Sequence, residues 1–547
     1  MKVYVYLTFT LWVSLVHADI QFTRVTETAG IQFHHFNGAI GEKHLVETMG
    51  GSAALFDYNN DNNLDIYLVN GAPLTENKPD SIPTNRRYRN KGDGTFTDVT
   101  SHTGVGDTGY GIGCCVADYD NDGNRDIFVT NFGQNVLYRN RGDGTFSDVT
   151  LQAGISNDKL FSAGCAFADY DNDGWLDLVV VNYVLLDLEN APDCSQNGIP
   201  AYCRPEDFAP DRIYRNNGNG TFTDVSQEVG LTSLGRGLGA IWTDVDNDGW
   251  LDLYIANDRE VNFLYHNNGN GTFTEIGELN GLALNEHGDT ESSMGIDTAD
   301  YDNDGDLDVI LTHYQAETNT LYQNDGKGIF WDVTAQSHLG EPTLIPLAWG
   351  TGFVDFDNDG WLDLFFANGH LHDNIEKLEE VGTYKQRNQL FYNQGGDTFA
   401  DLSAVSGDGM LIEKSSRGAV FGDYDNDGDL DILVMNINDA PDLLRNDTAP
   451  KHNWLRIRLV GVKSNRDGIG AKVRFQLGEM TLLREVKSGS SYLSQNPLRL
   501  HVGLGTAEKV DRLIVDWQKG VQDVIENVQC NQWLTIKEGN GIISRKR

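Results

Sequence analysis

Along most of the chain, short apolar runs alternate with clusters of Asp, Asn and Gly. A run of small and apolar residues, such as 113–117 or 418–422, leads into an acidic cluster. A β-rich run such as LDLVVV at 176–181 leads out of it. Next comes LYRNRGDGTFSDV at 137–149, and its core recurs at Asp93-Gly94-Thr95-Phe96, Asn219-Gly220-Thr221-Phe222 and Asn270-Gly271-Thr272-Phe273. Asn-Gly and Asp-Gly pairs between β-prone runs are strong hairpin signals, because both central residues of such turns need positive φ. Each period therefore predicts four short strands joined by tight turns.

The acidic cluster has the form D-x-D-x-D-G-x-x-D. It begins at Asp118, Asp169, Asp244, Asp300, Asp355 and Asp423, with a weaker copy at Asp57. Successive copies start 61, 51, 75, 56, 55 and 68 residues apart. Seven four-stranded units at such a period predict an all-β, seven-bladed β-propeller over residues 19–450. After the seventh cluster no G-T-F copy follows. The missing strand stands at the other end of the repeat, where FTRVTETAGI at 22–31 matches FSDVTLQAGI at 146–155. The N-terminal strand is expected to complete blade seven and close the ring, a permutation that an open solenoid would not need.

Alternate residues of a tight loop point inward, so acids at places one, three, five and nine converge. Gly at place six permits the sharp turn. The candidate ligands are Asp57, Asn59, Asp61 and Asp65; Asp118, Asp120, Asp122 and Asp126; Asp169, Asp171, Asp173 and Asp177; Asp244, Asp246, Asp248 and Asp252; Asp300, Asp302, Asp304 and Asp308; Asp355, Asp357, Asp359 and Asp363; and Asp423, Asp425, Asp427 and Asp431. Oxygen-only ligands in a flexible loop favour Ca2+, up to seven ions, over zinc or copper. A single copy reads equally as a solvated Asx turn; seven copies that keep the ninth acid do not. Loop one is expected to bind most weakly, because Asn59 removes a charge and Asn62 replaces the glycine. One local loop supplies each site, which suits a structural role; a catalytic metal would be singular and keep an open position.

Charge sharpens this picture. Lys and Arg total 41 against 81 Asp and Glu, a formal net charge of −40. Such a chain is ill suited to nucleic acid or to an anionic membrane face. Packed without cations, the loop acids would repel and raise one another's pKa. Residues 1–18 carry one Lys ahead of an apolar run ending at Ala18, which reads as a secretory signal peptide. The mature chain is expected to be secreted and to have no membrane span.

Six cysteines are too few for a disulfide-dense scaffold. Cys194 and Cys203 lie in the long insertion at 190–211 and are expected to pair in an exported protein. Cys114 and Cys165 occupy equivalent places in neighbouring blades, as a disulfide or as two buried thiols, while Cys115 and Cys530 have no obvious partner. His34, His35, His44, His370 and His372 invite a non-calcium site, yet loop polarity explains them as well. Asn219, Asn270 and Asn446 begin N-x-T sequons, and Asp297 interrupts an apolar run. No G-x-S-x-G, P-loop or dinucleotide fingerprint is present.

After residue 450 the repeat stops. Alternation at 454–460, 472–476, 513–517 and 533–537 predicts a small β-sandwich or barrel over 451–538, with a basic tail at 539–547. The loops resemble FG-GAP/VCBS repeats, the calcium-binding blades also found in integrin α-chain propellers. NRDGIGA at 465–471, GSSYLS at 489–494, HVGLG at 501–505 and VDWQKG at 515–520 resemble the ASPIC/UnbV domain, the last departing from the usual W-P-x-G. The pairing of both parts resembles the cartilage acidic protein family and its bacterial relatives, as do ETMGG at 47–51, Asn368 to His370 and the Cys194/Cys203 insertion. The resemblance implies a secreted calcium-binding protein and implies no reaction. The leading expectation is an extracellular binding or adhesion scaffold for a protein or matrix partner. A lectin is the alternative, since Trp175, Trp250 and Trp361 share place seven of their loops. A polysaccharide-active enzyme is less favoured, because no nucleophile–base pair stands out.

Overall fold

The computed structural model describes residues 20–74, 82–155, 160–191, 194–378, 381–449 and 452–546. The expected signal peptide at 1–18 lies outside them. Among the described residues, seven four-stranded antiparallel units form the blades, and those of blades two and three merge into one eight-stranded sheet where Leu160 and Phe161 pair with Gly133 and Phe132. Their first strands are Ala53–Phe56, Tyr110–Ala117, Leu160–Ala168, Gly237–Thr243, Ile296–Ala299, Ala348–Val354 and Ser416–Gly422. Each touches the next and the last touches the first, so they line the axis of a closed ring. Blade seven takes its outer strand from the N-terminus: Phe22–Arg24 pairs with Asp442–Asn446. That exchange removes the seam at which an open sheet edge would remain.

Every acidic loop joins the first strand of a blade to the second, so all seven lie on one face of the ring. At place nine one carboxylate oxygen accepts the place-two N–H and the other accepts the N–H of an asparagine in the third strand. In blade two these bonds are Tyr119 N to Asp126 Oδ2, 3.3 Å, and Asn140 N to Asp126 Oδ1, 2.7 Å. The amide of that asparagine then crosses to the preceding blade. Asn140 Nδ2 donates to the Tyr58 carbonyl at 2.8 Å, and the same bond recurs from Asn90, Asn216, Asn267, Asn324, Asn393 and Asn446 to Tyr424, Tyr119, Tyr170, Val245, Tyr301 and Phe356. The bond from Asn90 to Tyr424 joins blade one to blade seven. Because Asn446 is used in this way and is buried, only the sequons at Asn219 and Asn270 stand on exposed turns.

The C-terminal part is a sandwich of two four-stranded sheets. One orders Leu500–Gly503, Trp454–Val460, Gln532–Lys537 and Gly541–Lys546; the other orders Met480–Glu485, Lys472–Leu477, Lys509–Asp516 and Gln522–Gln529. The end of the chain is therefore not a loose basic tail. Gly541–Lys546 pairs with Gln532–Lys537, its alternation hidden by the Ser-Arg-Lys run.

The sandwich sits on the loop face and sends residues 485–496 down the axis of the ring. Gln495 exchanges backbone bonds with Ala53 and Leu55 of blade one, and Leu493 accepts from Cys114 of blade two. Ser488 Oγ accepts from Phe167 of blade three, and Glu485 accepts from Thr243 of blade four. Ser491 exchanges backbone bonds with Ile296 of blade five, and its hydroxyl oxygen accepts from Thr351 of blade six. Asn496 accepts from Phe421 of blade seven. Asp297 is explained here, paired with Lys487 at 2.5 Å. At the far end Tyr492 meets Trp349, centroids 4.9 Å apart, and its hydroxyl donates to the Met49 carbonyl at 2.9 Å. The 3-10 turn Leu45–Thr48 and Tyr202 of the insertion pack into the same apolar cluster. The axis is thus filled from both sides.

Replacing Asn140 with Ala leaves the carbonyls of Tyr58 and Arg125 without that donor. Stability is expected to fall by about 1–3 kcal/mol, the usual cost of stranding buried polar groups. Denaturant unfolding of the purified protein checks this, and an unchanged midpoint would show that the staple is dispensable.

Candidate metal centre

The structure places the seven loops side by side and brings together three candidate ligands in several of them. At place one of loops one, two, three, four and six, the two carboxylate oxygens accept the N–H groups of places five and six. In blade three these are Asp173 N to Asp169 Oδ1, 2.8 Å, and Gly174 N to Asp169 Oδ2, 2.9 Å. At place five the carboxylate accepts the place-seven N–H, as Asp173 does from Trp175 at 2.8 Å. These bonds use one edge of each carboxylate and turn the remaining oxygen lone pairs toward a common centre. Ligand atoms of Asp118, Asp120 and Asp122 lie within 4.8 Å of one another, as do those of Asp169, Asp171 and Asp177, of Asp244, Asp246 and Asp252, and of Asp300, Asp302 and Asp304. Several of these groups could therefore hold a metal ion. Blade five supplies the sharpest sign of a fit: both Asp300 oxygens are buried and are answered by no more than a weak approach of the Gly305 N–H. A cation is the natural partner for such a carboxylate.

Loop one keeps its shape despite its substitutions. Asn62 takes φ 74° where the other loops have glycine, and its N–H still reaches Asp57 Oδ2 at 2.9 Å. Asn59, however, turns its Nδ2 onto Asp61 at 2.9 Å, a donor where the other loops present an anion.

Burial and like charge raise the carboxyl pKa values. Desolvation pushes Asp65 and Asp118 up to about 8, and Asp169 and Asp300 up to about 7. It pushes Asp126, Asp177, Asp308, Asp363 and Asp431 well above the usual range, with neighbouring loop acids adding to it. The residue before each hairpin asparagine overhangs its loop. Arg139 lies 2.6 Å from Asp120, Gln323 Nε2 donates to Asp302 at 2.6 Å, and Tyr392 Oη donates to Asp359 at 3.2 Å. In blade four this place is His266, whose Nδ1 is 3.1 Å from Asp252; that bond raises its pKa to about 9.

Two asparagines in every unit escaped the sequence reading. One is the hairpin asparagine of the staple. The other is place four: Asn60, Asn121, Asn172, Asn247, Asn303, Asn358 and Asn426 all have φ between 56° and 65°. Asn121 Nδ2 reaches the Gly174 carbonyl of the next blade at 3.0 Å, and Asn358 Nδ2 reaches the Gly428 carbonyl at 3.2 Å. Their presence in all seven copies was the available signal.

The remaining candidates are structural in their surroundings. Cys194 and Cys203 form a disulfide with Cα atoms 5.8 Å apart. Cys114 and Cys165 are free and buried, and the Cys165 thiol hydrogen-bonds to Cys115. Desolvation lowers His35 and His370 to about 3 and His372 to about 4, so all three are neutral near pH 7. His370 and His372 each spend Nδ1 on a backbone N–H, from His372 and Tyr202 respectively. Trp175, Trp250 and Trp361 are half-buried and lie on Gly218, Gly269 and Gly396 in the hairpins of their own blades, not between blades. Ser293 Oγ and His313 Nε2 are 3.1 Å apart, but both residues are fully buried.

An FG-GAP-like repeat profile matches residues 57–129, 118–180, 201–255, 244–311, 300–366 and 373–434, and an ASPIC and UnbV profile matches 461–543. Cartilage acidic protein 1 of Mus musculus is 26% identical over 453 residues, covering 78% of this chain and 65% of that protein. The Xenopus tropicalis protein of the same name is 27% identical over 307 residues, covering 54% of this chain and 44% of its own length. The chain thus spans about half to two thirds of these relatives. Among solved structures, an Agrocybe aegerita lectin that recognises non-reducing terminal N-acetylglucosamine aligns with TM-score 0.37 at 17% identity, over 64% of this chain and 79% of that one.

The raised carboxyl pKa values fix the sign of the pH dependence. An unfolded Asp titrates near 3.9, whereas the folded values reach about 7 to 8. Between these limits the folded chain holds more protons, so stability falls as pH rises. In chelator the melting temperature is expected to drop from about pH 5 to about pH 8, and a saturating divalent cation should reverse the trend because protons compete for its ligands. A melting temperature that climbs with pH in chelator would contradict this.

Proposed function

The chain belongs to the FG-GAP-like repeat proteins, and from that premise we propose that it is a secreted, calcium-loaded propeller serving as an extracellular binding scaffold. The observation that supports the calcium reading is the approach, in several of the seven loops, of three acidic oxygen ligands supplied by one short segment. Hard, oxygen-rich, flexible loops suit Ca2+, and extracellular modules bind it at about 10⁻⁴ to 10⁻³ M. Seven ions would move the formal charge from −40 to −26. Each ion would neutralise a desolvated cluster and rigidify a blade.

The sandwich sits on the loop face, leaving loop residues such as Asp122, Asp173 and Asp248 exposed, and the axis is filled, so we assign recognition to the opposite face and the outer blade edges. Residues 194–211 of the insertion stand on that opposite face, with Tyr202 tilted against His372, ring centroids 5.6 Å apart. A protein or matrix partner fits such a surface better than a sugar does. The three place-seven tryptophans are half-buried and rest on glycines of their own hairpins, which gives each ring a packing role. The buried Ser293 and His313 give an enzyme reading no accessible nucleophile.

Calcium titration by calorimetry should count up to seven ions, and Asp248→Ala should remove about one and lower thermal stability. Unchanged stoichiometry in Asp248→Ala would reject loop four as a site. For the scaffold, immobilised calcium-loaded protein should retain a discrete partner from native extracellular extract. Release of nothing by chelator, with the bait folded and loaded, would count against it.

A further inference from the structure

Two of the seven loops share their first carboxylate with a buried cation of the C-terminal sandwich. In blade four, Lys472 Nζ lies 3.1 Å from Asp244 Oδ2, 3.0 Å from the Asp244 carbonyl and 2.6 Å from Asn247 Oδ1. In blade seven, Arg456 pairs with Asp423 Oδ2, and its Nη1 donates to Asn426 Oδ1 at 3.4 Å. In both cases the contacts are to places one and four of the loop.

These cations cannot withdraw. Lys472 is 6% exposed and Arg456 2%. Lys472 stands in the strand Lys472–Leu477, opposite Glu485 at the root of the axial segment. The Arg456 guanidinium is clamped between the rings of Trp454 and Trp533, 4.9 and 4.8 Å from their centroids. The arginines over loops one and two differ: Arg89 beside Asp61 and Arg139 beside Asp120 keep 54% and 48% of their side chains in solvent. They can swing into water when another cation arrives. Over loops two and three the groups of the sandwich that contact the first acid are neutral or acidic, while Lys519 acts on Asp169 only from beyond contact distance. Asp467 accepts the Asp118 N–H at 2.8 Å, and Gln518 donates to the Asp169 carbonyl at 3.1 Å. Arg484 donates to the Gly360 carbonyl of loop six and makes no ion pair with its acids at contact distance.

We propose that Lys472 and Arg456 make loops four and seven the weak calcium sites of the ring. An ion entering either loop must share its first carboxylate with a fixed positive charge, in a setting where screening by water is poor. A second cation on the outer oxygen also makes that carboxylate a poorer ligand. The coupling is reciprocal: an ion bound in loop four or seven weakens the grip of the sandwich there by the same factor. This ordering departs from the ranking by composition, in which loop one is weakest. It rests on the calcium reading of the loops.

The test is calcium titration by calorimetry on the full chain, comparing wild type with Lys472→Met, Arg456→Met and the charge-keeping Lys472→Arg. Thermal unfolding in chelator verifies that each variant is folded, and the two Met variants test the idea independently. Wild type should show a tighter group of sites and a weaker pair. Each Met variant should move one site from the weak pair to the tight group, by about 10-fold or more, the scale of outer-shell effects on metal sites. Lys472→Arg should leave the weak pair in place. Calcium binding with unchanged or weaker affinity in both Met variants would overturn this inference and leave the calcium reading standing. Absence of any bound calcium in wild type would overturn both.

Discussion

One amide per blade holds the ring together. The hairpin asparagine takes its own backbone position from the place-nine carboxylate, then spends its side chain on a carbonyl of the preceding blade. Because the bond always points backward by one blade, seven copies close on themselves, and Asn90 to Tyr424 is the last link. The place-nine acid is therefore as much a structural residue as a candidate ligand. Its burial is tolerable because two backbone N–H groups answer it. The acidic loop and the blade-to-blade contact are parts of one device, so the loops cannot be altered without touching the ring.

The filled axis follows from the same geometry. Seven first strands leave inward-facing backbone groups that their own sheets do not satisfy. The segment 485–496 answers them with Gln495, Leu493, Ser488, Ser491 and Asn496, and reaches blade four through Glu485, which accepts from the Thr243 hydroxyl. Such a segment cannot leave without exposing these groups and the apolar cluster around Tyr492. The sandwich is thus a constituent of the ring and not a module on a tether, and its core runs into that of blades two and three.

Charge is the remaining constraint. Carboxylates gathered on one face and covered by a domain raise one another's pKa unless cations join them. Two sources are at hand: a metal ion in each loop, and the basic side chains of the sandwich. They are not equivalent. Exposed arginines such as Arg139 are interchangeable with solvent, whereas Lys472 and Arg456 are fixed by the fold. The electrostatic surroundings of seven similar loops therefore differ according to what lies above them.

The local order was legible in the chain. Hairpin signals, a constant loop and a displaced N-terminal copy are short-range patterns, and they specify seven blades, their closure and the clustering of acids in the loops. The extent of the last domain was less legible, because the Ser-Arg-Lys run of Gly541–Lys546 looks like a tail until Gln532–Lys537 supplies its partner. The asparagines at place four and in the hairpin were visible yet silent, since their meaning is a bond to another blade. Nothing in the sequence showed that residues 485–496 fill the axis, that Cys115 meets Cys165, or that Lys472 and Arg456 land on Asp244 and Asp423. Those pairings join residues up to several hundred positions apart, and no local propensity encodes them. Only the packing of the sandwich on the ring decides which buried charges meet.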